Sequence, residues 1–218
     1  YLCGPYCYMK NRFMEGVPMQ RSFLESHRLH NLLWLTEMDQ FPLGIETCPG
    51  GSDENFVKNV ALLRRETLQP IFAGQGFWYY DHRLVPSSKT ISSMGDVNSD
   101  VASIYRKRGW WDSPKMMNEI EKVQKFIGDF SKREYVNGAE VLIVSDAQAR
   151  YYQHKVKDND NEYALIESVA RNGVGYDCIY LSDLSICEVD RYKCIIFANC
   201  PQINEQTKKI IKEKLKGK

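Results

Sequence analysis

The stretch Leu32-Leu33-Trp34-Leu35-Thr36-Glu37-Met38-Asp39 constrains this chain more than any other. A short apolar run bounded by polar residues predicts a strand buried on both faces. It ends in two carboxylates one residue apart, at the end of a strand where α/β folds place their chemistry. A carboxylate held dry is costly, so one placed there calls for a partner or a ligand. The plainer reading of the same pattern is a strand running into a solvated loop.

The rest of the chain repeats this grammar. Residues 1–8 form an aromatic run with Gly4 and Pro5, a strand end bending into a loop. Residues 22–29 are a candidate helix. Pro42, Gly44, Pro49, Gly50 and Gly51 make residues 41–53 a loop. Residues 54–72 read as a helix with Phe56, Val60, Leu63 and Leu68 near one face, and Ser52 or Asp53 available as N-cap. Gly74 and Gly76 then precede Phe77-Trp78-Tyr79-Tyr80-Asp81, a second aromatic strand closed by a carboxylate. Strand, helix and strand in this order favour parallel strands joined right-handedly. Residues 83–107 are polar and Ser-rich without a clean period, which predicts a long loop. Ser113-Pro114 opens a helix with Pro at its first position, and Met117, Ile120, Val123, Phe126 and Ile127 give it one apolar face.

After Asn137-Gly138 the texture changes. Strands are expected at residues 139–144, 177–181 and 193–198, and helices at 162–171 and 204–216, a small unit in the doubly wound style. A boundary near residues 135–138 divides the chain into domains 1–136 and 137–218. The chain starts inside a strand and stops on a helix where another strand is expected, so it reads as a piece of something longer.

Of the 218 residues, 43% are hydrophobic and 26% charged, as in ordinary globular proteins. A net charge of +1 gives no electrostatic footprint for nucleic acid or an acidic membrane, and no apolar stretch is long enough to cross a bilayer. Seven cysteines, scattered without a disulfide-framework rhythm, read mostly as buried free thiols. His27, His30, His82 and His154 show no metal spacing. Ser145-Asp146 is followed by no Gly-rich loop, which argues against a phosphate or nucleotide site there.

Glu37 and Asp81 close two strands, and Tyr6 and Tyr8 lie on a third, so all can share one face of a sheet or barrel. Rings beside carboxylates suit carbohydrate: sugar C–H faces stack on the rings while the acids accept hydroxyl hydrogen bonds. A Glu among aromatics can also be the nucleophile of a retaining glycosidase, which needs a second carboxyl roughly 5–5.5 Å away. Asp39 lies past the strand end and is a poor candidate for that partner.

The order Gly4-Pro5-Tyr6-Cys7-Tyr8, Trp34-Leu35-Thr36-Glu37-Met38-Asp39, Arg64-Arg65-Glu66, Gly74-Gln75-Gly76-Phe77-Trp78-Tyr79-Tyr80-Asp81 and Gly109-Trp110-Trp111-Asp112 resembles β-galactosidase-type glycoside hydrolases of family 42. The resemblance implies the last strands of a (β/α)₈ (TIM) barrel followed by a partial flavodoxin-like domain of the trimerisation type. It implies Glu37 as the nucleophile in a retaining hydrolysis, with the acid/base Glu on a strand this chain lacks, so that the chain alone is inactive. Tyr6, Tyr8, Arg12, Asp39, Trp78, Tyr80, Asp81 and Trp111 become the expected sugar contacts, and Trp110 an anchor for the following helix. It further implies a carbohydrate substrate, a homo-oligomer and no organic cofactor. Two other readings are a non-catalytic carbohydrate-binding or assembly module, and a relative that has lost its acid/base.

Overall fold

The computed structural model describes residues 1–6, 16–17, 19–44, 50–81, 109–134, 136–152 and 159–216. Tyr8, Arg12 and the expected loop at 83–107 lie outside them. The described residues form an α/β protein with two open, three-stranded parallel sheets. The first contains β1 (Leu2–Pro5), β2 (Trp34–Met38) and β3 (Gly76–Tyr79) in that spatial order. The second contains β4 (Val141–Ser145), β5 (Tyr176–Tyr180) and β6 (Cys194–Ala198), ordered β5-β4-β6. Five helices accompany them: α1 (Leu24–Leu29), α2 (Phe56–Phe72), α3 (Pro114–Phe130), α4 (Asn159–Arg171) and α5 (Glu205–Lys214).

This topology overturns the TIM-barrel and flavodoxin-like expectations. A barrel closes only when every strand is paired on both sides. Here β2 alone in the first sheet has two neighbours, and among the described residues β1 and β3 each keep an open edge. The second sheet likewise stops at three strands.

The central strand starts two residues later than its apolar run. Asn31 adopts φ +55°, the left-handed conformation that ends a helix, and the Leu32 amide donates back to the His27 carbonyl at 2.9 Å. Leu32 and Leu33 are therefore spent on the turn out of α1 and stay exposed. Within β2, Trp34, Thr36 and Met38 point to the buried side, while Leu35 and Glu37 are half-buried on the other. The strand is thus two-sided rather than sunk in core on both faces.

Met38 packs with Leu63 of α2 and with Trp111 and Met116 at the start of α3. Ser113 caps α3, its hydroxyl accepting from the Met116 amide, with Pro114 at the first position. The buried stripe of α2 is Asn59, Leu62, Leu63, Glu66, Thr67 and Pro70. Half of it is polar, so apolar periodicity finds Leu63 with Phe56 and Val60, which pack against the same core, and misses Asn59, Glu66 and Thr67. Behind Trp34 a buried polar chain runs from the indole N–H to Thr36 Oγ1 (3.1 Å), from the Thr36 hydroxyl to Gln20 Oε1 (2.8 Å), and on to Gln69.

The two sheets meet through α1 and the segment before it. Met19 and Phe23 pack on Ile143 and Ile166 of the second sheet's α4 side. Ser26 Oγ accepts from the Tyr180 amide on β5 (2.8 Å), and buried Glu25 accepts from both Arg28 and Arg191. The opposite face of the second sheet, with Leu142, Val144 and Ile179, is covered by α5 through Ile210 and Ile211.

Candidate functional site

In the parallel register Pro5, Glu37 and Trp78 stand side by side across the first sheet. They share the face away from α2 and α3, because partners in register point to the same side. Trp78 is 39% exposed, and its indole N–H reaches Cys3 Sγ at 3.0 Å. From Trp78 a row of rings runs along the carboxyl end of the sheet. Trp78 meets Tyr80 edge-on at 5.3 Å between centroids, Tyr80 meets Trp110 at 6.3 Å, and Trp110 meets Phe41 at 6.0 Å. Phe41 is 45% exposed.

Two devices hold this row. The Asp81 carboxylate accepts from the Trp110 amide, and Gly109 has no Cβ because one would stand 2.1 Å from Asp81 Oδ2. The Phe41 loop is stitched by Asn59 of α2. Its Oδ1 accepts from the Leu43 amide at 2.7 Å, and its Nδ2 donates to the carbonyls of Leu43 (3.1 Å) and Gly50 (3.3 Å). Gly50 and Gly51 both hold φ near +79°, and a Cβ on Gly51 would come within 2.3 Å of the Asn59 amide. The Gly50 amide then donates to the Trp110 carbonyl at 2.7 Å, which joins loop to row.

The expected site residues divide accordingly. Glu37, Trp78, Tyr80 and Asp81 come together along the face away from α2 and α3 and its rim. Tyr6 is buried, its hydroxyl donating to Gln40 Oε1 at 2.8 Å, and Asp39 is buried just past the strand. Trp111 is 2% exposed and its indole N–H meets no hydrogen-bond partner among the described residues. The ring that joins the row is Trp110. Trp110 and Trp111 sit in a turn, where neither helical nor strand periodicity tells which ring faces inward. Phe41 and Asn59 had no signal in the sequence beyond lying in, and after, a Gly- and Pro-rich loop.

No family model, curated protein or solved structure matches this chain. The family 42 glycoside hydrolase resemblance is overturned by the architecture, since that chemistry belongs to the mouth of a closed barrel and this sheet is open. The glycoside hydrolase reading falls with the barrel on which it rested. The same residues contain no group of three His, Cys, Asp or Glu side chains arranged to hold a metal ion. Their cysteines, Cys3, Cys178, Cys187, Cys194 and Cys200, are all free, but of these Cys187 alone is buried.

Proposed function

We propose that the aromatic row on the first sheet is a non-catalytic saccharide-binding surface. The observation that carries this reading is the succession Trp78, Tyr80, Trp110 and Phe41, flanked by Glu37 and Asp81. Trp78 and Phe41 are exposed and Tyr80 and Trp110 half-buried between them, so the row offers ring surface to the C–H faces of successive sugars. Carboxylates beside them accept hydroxyl hydrogen bonds, which are stronger for a charged acceptor. The row is held by backbone bonds and by Asn59, so its geometry exists before a ligand arrives and less ordering entropy opposes binding.

The test is calorimetric titration of the chain with a panel of linear neutral oligosaccharides, repeated with Trp78→Ala and Phe41→Ala. Binding of at least one oligosaccharide is expected, with Trp78→Ala weakening it by about tenfold or more, as for an aromatic residue that carries much of the binding energy. If nothing in the panel binds, or binding survives both truncations unchanged, the reading is wrong.

A further inference from the structure

The connections of the second sheet diverge at its centre. From β4 the chain passes to α4, whose Ile166 packs with Ile143 on one face. From β6 it passes to α5, whose Ile210 and Ile211 lie with Leu142 and Val144 on the other. Because β4 and β6 are neighbours, their outgoing chains separate and leave a crevice at their carboxyl ends. Such a switch point is where open α/β sheets take ligands. A cleft of about 630 Å³ lies there, lined by Asp146, Gln148, Tyr152, Ser182, Asn204 and Thr207 among others. That volume suits a small molecule. The carboxyl ends of the two strands are tied together by Glu162, which accepts from Ser145 Oγ at 2.9 Å and Asn199 Nδ2 at 3.3 Å. Asn199 holds φ +50°, turning the chain sharply out of β6.

The chemistry of the lining narrows the occupant. It holds one carboxylate, several amides and hydroxyls, and no Lys or Arg among its described residues. Asp146 accepts from the Gln148 amide at 2.9 Å, which uses one of its lone pairs. At the start of α5 the Thr207 amide is already taken, donating to Asn204 Oδ1 (2.8 Å), and Glu205 in the first turn pairs with Lys208 at 2.7 Å. An anion would meet Asp146 with no described cation in the lining to receive it. A neutral hydroxylated molecule would find donors and acceptors together, and a half-exposed ring in Tyr152.

We infer that this crevice binds a neutral ring molecule carrying a vicinal diol, its two hydroxyls donating to Asp146 and its ring lying against Tyr152. Nucleosides and free monosaccharides share that chemistry. The site is independent of the aromatic row, so it is tested in the Trp78→Ala chain, where the row is broken and the crevice is untouched. Calorimetric titration with adenosine, 2′,3′-dideoxyadenosine, adenosine monophosphate and D-ribose separates the sources. Adenosine binding well above ribose assigns a nucleoside; equal binding assigns the sugar alone. The dideoxy compound is expected to bind about tenfold more weakly or worse, the loss of hydrogen bonds to a charged group. The monophosphate should also bind more weakly than adenosine. Asp146→Asn and Asp146→Ala should each lose about tenfold, with unchanged far-UV circular dichroism. The inference is overturned if neither diol binds, if the dideoxy compound binds as well as adenosine, if the phosphate improves binding, or if both Asp146 variants keep full affinity.

Discussion

Replacing Asn59 by Ala is expected to destabilise the protein and loosen the aromatic row together. Asn59 is fully buried on α2 and makes three hydrogen bonds, all to backbone atoms of the loop that carries Phe41. A buried hydrogen bond contributes about 1 kcal/mol net. Three bonds set an upper figure of about 3 kcal/mol; partial rehydration of the Leu43 and Gly50 atoms brings the expected loss to about 2 kcal/mol. With a urea slope of about 2 kcal/mol per molar, the midpoint should fall by about 1 M at unchanged slope. Asn59→Asp is the sharper comparison. It keeps the acceptor for the Leu43 amide but turns a carboxylate toward two carbonyls, and burial raises its folded pKa above the unfolded value. Its stability should therefore fall as pH rises through that interval and recover on acidification, when the protonated carboxyl can donate. A midpoint shift below about 0.2 M for Asn59→Ala would refute the view that this side chain organises the loop.

Gly109→Ala should push Asp81 off the Trp110 amide; because Asp81 is exposed and can rotate away, stability should change by less than about 1 kcal/mol while oligosaccharide titrations lose affinity. Glu25→Ala removes the carboxylate that accepts from Arg28 and Arg191, and an unfolding titration should show a loss of about 1–2 kcal/mol, tempered by the exposure of Arg28. Lys122, with help from Arg64, holds the Glu119 carboxyl below its ordinary range against the opposing effect of burial. That contribution is present above about pH 4.3, the unfolded value, and is lost as pH falls through the folded one; Glu119→Gln should flatten this acid limb in a stability-versus-pH series.

Local structure was legible in the sequence where one residue type dominates a segment. The β-branched run at 139–144 and the aromatic run at 77–80 became β4 and β3 with small shifts at their ends. Ser113-Pro114 opened α3 as expected, with the Ser side chain as cap. Assembly was not legible. Apolar runs specify strands, but whether a sheet curls shut depends on what lies beyond its edges, which no run encodes. Polar core residues were also hidden: Asn59, Glu66 and Thr67 read as the wet side of a helix, yet they are buried and Asn59 holds the candidate site in place. Of Trp110 and Trp111 the second is the buried ring and the first stands beside Tyr80, an order that a turn, having no period, does not reveal.

The placement of α1 has a consequence for handling the chain in pieces. Ser26 and Ser22 engage the main chain and hydroxyl of Tyr180 on β5, an outer strand of the second sheet, while Met19 and Phe23 cover its apolar face. A chain cut near Gly138 would keep all three strands of that sheet and lose this cover. The bared edge would present unpaired amides and carbonyls beside an uncovered apolar face, which is a template for strand-to-strand aggregation. The short helix thus acts as a guard on a neighbour's border, and the second sheet depends for its solubility on residues more than a hundred positions upstream.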